Sequence, residues 1–261
     1  MTTTLRRAFR QPVAAKVPEV TALFWVVKIL TTAGGEAVSD YLSLGSKVVG
    51  GAVELGLFLV GLAWQFRTRR YTAAAYWFLA YAIAIFGCGV ADLMHKVLGI
   101  PYAGTSLFWG IVLAVVLGTW FRCEGTLSIH SITTQRRELF YWATVFATFA
   151  LGTAVGDFTA NALGLGYLAS GLVFTVLILM PWVAWRRFHL GEVAAFWWAY
   201  VLTRPLGASF ADYLCKAPDR GGIGVGEGLT AVLFTVAVGA LVVYLSFARR
   251  DIQPHLEAAP G

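Results

Sequence analysis

Residues 24–40 read FWVVKILTTAGGEAVSD, and the same frame returns as YWFLAYAIAIFGCGVAD at 76–92, YWATVFATFALGTAVGD at 141–157 and FWWAYVLTRPLGASFAD at 196–212. Each copy opens on an aromatic–Trp pair: Phe24-Trp25, Tyr76-Trp77, Tyr141-Trp142 and Phe196-Trp197. Each holds a glycine five residues before its end, at Gly35, Gly87, Gly152 and Gly207, and each closes on an aspartate, at Asp40, Asp92, Asp157 and Asp212. The residues between have drifted, but these offsets have not moved. A carboxylate inside an apolar helix costs roughly 2.5–3.5 kcal/mol on insertion scales. Four at one repeated position therefore read as a device.

Working outward, the chain is 58% hydrophobic and 13% charged, with mean hydropathy +0.70. A soluble chain of 261 residues rarely carries so few charges. Eight apolar stretches fall near 20–41, 47–66, 71–93, 103–122, 138–160, 166–185, 192–214 and 227–247. Each approaches the ~20 residues needed to cross the hydrocarbon layer. Backbone polar groups in lipid must be satisfied internally, so the expected fold is all-α: a polytopic membrane protein of eight transmembrane helices. Paired in order, the helices make four tandem hairpins, as repeats near 20–70, 71–125, 136–188 and 192–250, within one transmembrane domain spanning 1–261. Internal repeats of this kind are common in secondary transporters.

Lys and Arg give the orientation. Arg6, Arg7, Arg10 and Lys16 lie in the N-terminal arm 1–19, and the segments between hairpins and the tail hold ten more, from Arg67 to Arg250. The loops inside the hairpins hold only Lys47, Lys96, Lys216 and Arg220. The positive-inside rule then places both termini in the cytoplasm. The net charge of +6 mostly reflects this asymmetry, and nucleic acid is not an expected partner. The first 19 residues lack the apolar core of a cleavable signal peptide and read as a basic arm. Cys88, Cys123 and Cys215 are too scattered for a disulfide framework.

Fifteen residues of helix rise about 22 Å, so a Trp anchored at the cytoplasmic interface puts its aspartate in the outer half of the membrane. The glycine is turned away from the aspartate's face and reads as a point where a neighbouring helix comes close. Residues four and eight before each aspartate share its face. They are Glu36 and Thr32, Cys88 and Ala84, Thr153 and Phe149, and Ala208 and Arg204. Lys28 lies one further step down in the first copy. Asp40, Asp92, Asp157, Asp212 and Glu36 give five acids against two bases, Lys28 and Arg204, that balance charge. Crowded carboxylates cannot all ionise cheaply without a proton or a cation. Oxygen ligands suit hard divalent ions such as Mg²⁺, Ca²⁺ or Mn²⁺, and Cys88 or His95, turned inward, would shift the choice towards transition metals.

A blander reading stands beside this one. The aspartates lie near helix ends, where they could pair simply with Lys47, Lys96 or Lys216 and lock helices together. An acid at a helix C-terminus is, however, on the unfavourable end of the dipole. Glu54 and Glu227, near the starts of second helices, read as dipole caps. The glycine-rich run 221–228 lacks the strand that precedes a phosphate loop. No Ser–His pair or H-E-x-x-H stands out.

The segments KVPEVT at 16–21, FWVVKIL at 24–30 and TTAGGEAVSDY at 31–41, with AVGD at 154–157 and ADYL at 211–214, resemble a bacterial family known as uncharacterised membrane-anchored proteins. The similarity runs over nearly the whole chain. It implies a bacterial inner-membrane protein and, for similar proteins, export of metal, manganese in particular. The expected function is transport of a divalent cation such as Mn²⁺, in exchange for protons, through a site with one Asp per repeat. The metal is then substrate, and no tightly bound cofactor is expected. Two alternatives stay open: a structural or binding membrane protein, and an intramembrane enzyme acting on a lipid-linked substrate. A homo-oligomer also stays open.

Overall fold

The computed structural model describes residues 15–253, and among these there are eight long helices and no strand. In chain order they are α1 (Ala22–Ser43), α2 (Lys47–Arg67), α3 (Ala73–Asp92), α4 (Tyr102–Glu124), α5 (Gln135–Asp157), α6 (Gly166–Phe188), α7 (Glu192–Cys215) and α8 (Glu227–Ala248). Single π-helical turns, Leu93–Val97 and Phe158–Ala162, extend α3 and α5. Local chemistry sets several ends. The hydroxyls of Thr21, Ser46 and Thr134 accept from the backbone N–H three residues on, which satisfies donors that a helix start leaves free. Gly125 ends α4 in the left-handed region at φ 68°, where a Cβ would be strained.

Seven of the eight helices are long and apolar enough to cross a membrane, and the chain is a membrane protein built of internal repeats. The eighth, α7, carries Glu192, Arg204 and Asp212 and falls below that apolar standard. It is enclosed by other helices: α5 and α1 flank it and α6 covers it.

The first helices of the four repeats form a closed ring. α1 packs on α3, α3 on α5, α5 on α7, and α7 back on α1. The second helices surround this ring, but not as self-contained hairpins. α2 packs mainly on α3, α4 on α5, α6 on α7, and α8 on α1, while contact within each repeat is slight. The hairpin expectation is corrected here. Sequence neighbours share a loop, but the face each second helix covers belongs to the next repeat, so every repeat is stapled to its successor.

The repeated glycines make the ring tight. A Cβ on Gly35 would overlap Ala84 of α3, and one on Gly87 would come within 3.1 Å of Phe149 of α5. A Cβ on Gly152 would lie 2.5 Å from Arg204 of α7, and one on Gly207 would overlap Thr32 of α1. In every case the glycine meets the residue eight before the next repeat's aspartate. Close approach of backbones through small residues is how helices gain dispersion energy where lipid offers no hydrophobic drive.

The aromatic–Trp pairs form a second cyclic layer. Phe24 meets Trp77 at 5.5 Å, Tyr76 meets Trp142 at 5.3 Å, Tyr141 meets Trp197 at 6.1 Å, and Phe196 meets Trp25 at 5.8 Å between ring centroids. Interface anchors would be half wet, but Trp77, Trp142 and Trp197 are buried, so that expectation is corrected as well. Aromatic pairs are worth ~0.5–1.5 kcal/mol beyond the area they bury. This layer is a structural girdle.

Chain segments close the same end. Lys16 is not solvated in a basic arm. Its ammonium is buried, donating to Glu138 at 2.7 Å and to the Gln65 carbonyl at 2.8 Å. Burial pulls the Lys16 pKa down, and the Glu138 carboxylate opposes that pull. Tyr71 donates to Asp251, and Gln253 donates to the Val17 carbonyl at 3.2 Å. The Glu19 N–H donates to the Asp251 carbonyl, so residues near the two ends of the described chain meet here. Arg6, Arg7, Arg10 and His255 lie outside the described residues.

Candidate carboxylate site

At the opposite end of the ring from the aromatic girdle, the four aspartates point into a common region, but they do not form one symmetric set. Carboxylate oxygens of Glu36, Asp40 and Asp212 lie within 4.8 Å of one another, and all three residues are buried. Asp92 and Asp157 stand outside this triad. α1 supplies Glu36 and Asp40 one turn apart, and the ring-closing contact of α7 with α1 brings Asp212 to them.

An ammonium already sits at the triad. Lys216, at the C-cap of α7, places its Nζ 2.6 Å from Asp40, 3.6 Å from Asp212 and 3.6 Å from Glu227. Asp212 Oδ1 is buried with no hydrogen bond. The position four after each aspartate explains the asymmetry. It holds Leu44, Lys96, Asn161 and Lys216. Lys96 binds Asp92 at 2.6 Å, and Asn161 donates to Asp157 at 3.4 Å. Leu44 offers nothing, so Asp40 takes the lysine of the fourth repeat. The π-helical turns directly follow Asp92 and Asp157 and carry Lys96 and Asn161. Lys47 is exposed and makes no ion pair among the described residues.

One turn deeper, Arg204 Nη2 meets Glu36 at 2.7 Å, and Nη1 donates to the Thr32 carbonyl at 2.8 Å. Cys88 turns inward and donates to Glu36 at 3.4 Å. Lys28 does not join the carboxylates. Its Nζ lies 3.7 Å from the centroid of Phe149 and 4.0 Å from that of Tyr200, with no hydrogen-bond partner. Below it the Tyr76 and Tyr141 hydroxyls hydrogen-bond each other. From one end to the other, the ring thus holds an acid layer, a Glu36–Arg204 layer, a Lys28–aromatic layer and the aromatic girdle.

His95 stands outside the triad, its Nδ1 2.8 Å from the Ile100 carbonyl and its ring stacked on Tyr102 at 3.5 Å. One further expectation is corrected. Glu54 is not a cap. Ser46 caps α2, and Glu54 lies two turns in, buried against Ser39 of α1. Glu227 does open α8 as expected. Lys216 pairs with the aspartates as the blander reading expects, joining two of the triad's three acids. The spacing of four from Asp212 was available as a signal, but its reach to Asp40 needed the ring to close.

The four copies match one family across residues 23–71, 75–126, 140–190 and 195–251, a family described as Repeat of Unknown Function (DUF347). The chain belongs to this family. Each DUF347 repeat thus contributes one ring helix with its aromatic pair, glycine and aspartate, and one outer helix. No curated protein and no solved structure matches the chain.

Proposed function

We propose that this protein transports a divalent cation across a membrane. Mn²⁺ leaving the cytoplasm of a bacterium is the leading case, with all eight long helices spanning and both termini inside. The observation that carries the reading is the triad of Glu36, Asp40 and Asp212, whose oxygens lie close enough to share one ion, with a cationic group already placed on them. An all-oxygen set suits a hard ion. The Cys88 thiol beside Glu36 favours an ion somewhat softer than Mg²⁺ or Ca²⁺, which is why Mn²⁺ leads. Asp92 and Asp157, tied only to the exposed Lys96 and Asn161, would receive or release the ion at the aqueous mouth.

Lys28 and the aromatic layers fill the ring below the acids. That closure favours a carrier that alternates between states over an open channel. Arg204 would hold Glu36 in place when no ion is bound and limit the negative charge of the empty site.

A second reading keeps one observation in its favour. Asp92, Asp157 and Asp212 each have a polar partner one turn on, as expected if the acids only fasten helix ends. Mn²⁺ flux into proteoliposomes decides between them, with other divalent ions as competitors and Asp40→Asn and Asp157→Asn as variants. Flux lost in variants that remain folded supports transport. Variants that unfold while native protein passes no ion support fastening.

A further inference from the structure

Glu54 is a buried carboxyl that the triad does not use. It sits on α2 in the seam where α1 and α3 meet, 3% exposed. One carboxyl oxygen accepts from the Ser39 hydroxyl at 2.7 Å. The other lies against Gly89 of α3, so closely that a Cβ there would overlap it. Among the described residues no basic side chain pairs with it. The charged groups facing it are acids: Asp92 from α3, and Asp40 and Glu36 from α1. Lys96 and Arg204 are engaged with Asp92 and Glu36.

The other repeats serve as internal controls. The residue before each aspartate is Ser39 in the first repeat and Ala91, Gly156 and Ala211 in the others, and α4, α6 and α8 carry acids only at an end residue, Glu124 in α4 and Glu227 in α8. The hydroxyl and the acid occur together, in the first repeat only. An unpaired carboxylate in such a place carries a desolvation cost of several kcal/mol, roughly, and a neutral acid does not.

We propose that Glu54 is a proton-binding site, set beside the carboxylate triad and linked to it through Ser39, the neighbour of Asp40. In the empty protein Glu54 is a neutral carboxylic acid hydrogen-bonded to Ser39. When a divalent cation fills the triad, its positive charge favours the carboxylate. The O–H bond breaks, the electron pair stays on Glu54, and the proton passes to water. This second half rests on the cation-transport reading. The first half does not.

Infrared difference spectroscopy on purified protein in lipid tests the site directly. Native protein at neutral pH is expected to show the C=O stretch of a protonated carboxyl, and Glu54→Gln to lose it. Ser39→Ala, which keeps the acid and removes its donor, is expected to shift that band. A band unchanged in both variants overturns the proposal. If Glu54→Gln does not fold, the Ser39→Ala shift alone decides. In proteoliposomes, Glu54→Gln is expected to retain Mn²⁺-for-Mn²⁺ exchange while losing net uptake driven by a proton gradient at least tenfold. Equal loss of both modes overturns the coupling role. Absence of any Mn²⁺ flux in native protein removes the transport reading but leaves the infrared result to stand by itself.

Discussion

Gly207 of the fourth repeat lies flat against Thr32 of the first, and this contact closes the ring of α1, α3, α5 and α7. Thr32 also donates to the Thr203 carbonyl at 3.0 Å, so the seam is bonded as well as packed. It is the one ring seam made between the two ends of the repeat array.

A methyl group at this seam has nowhere to go. Gly207→Ala is expected to destabilise the folded protein by ~1–3 kcal/mol, the usual cost of overpacking. Gly51→Ala is the control, because nothing lies within 4 Å of a Cβ built there. Thermal unfolding in detergent is the measurement. Equal melting of the two variants would show that the ring tolerates opening at its last seam.

Arg204 and Glu36 are buried partners at 2.7 Å. Removing either one leaves an uncompensated charge and is expected to cost ~3–5 kcal/mol, whereas removing both with apolar groups of similar size is expected to recover most of that. A cycle of Arg204→Met, Glu36→Met and the double variant, read by unfolding, gives the coupling. Additive losses would mean that the two side chains act separately.

Lys216 holds the place that a cation would take between Asp40 and Asp212. Lys216→Met is therefore expected to raise Mn²⁺ affinity about tenfold or more, ~1.4 kcal/mol. Asp40→Asn is expected to reduce it. Titration of bound Mn²⁺ by its paramagnetic resonance signal reads both. Weaker binding in Lys216→Met would show that the ammonium organises the site instead of competing for it.

Asp251 brings pH into the stability of the terminal latch. Burial pushes its carboxyl above the ordinary value, and donation from Tyr71 holds it back. The folded state therefore binds this proton more tightly than the unfolded state. The stabilisation is fully present below the unfolded pKa and is lost as pH rises through the folded one. Asp251→Asn is expected to flatten that part of the unfolding profile above about pH 4, the ordinary aspartate value. A profile unchanged by the substitution would assign the pH dependence elsewhere.

Repetition made much of this legible. The offsets of aromatic pair, glycine and aspartate identified the four ring helices, and the glycine's turn away from the aspartate's face identified close approach. The same pattern was silent on partners. Lys28 shares a helical face with Glu36 and Asp40, and counting charges along that face suggested an ion pair. The ring instead presents Phe149 and Tyr200 to the ammonium, from α5 and α7. Trp77 and Trp142 fit the usual place of interface anchors and are buried because each faces the preceding repeat's aromatic.

By itself the sequence determined the membrane class, the helical architecture, the repeat and the end of each helix where the acids gather. These follow from hydropathy, helical period and spacing, which act along the chain. Only the tertiary structure decided that second helices cover the next repeat, that Lys216 reaches Asp40, that Glu36 is held by Arg204, and that Glu54 lies unpaired in a seam. Each of those depends on which helix stands beside which. Four similar repeats offer several pairings of similar energy in one dimension, and only simultaneous closure of all four seams in space selects among them.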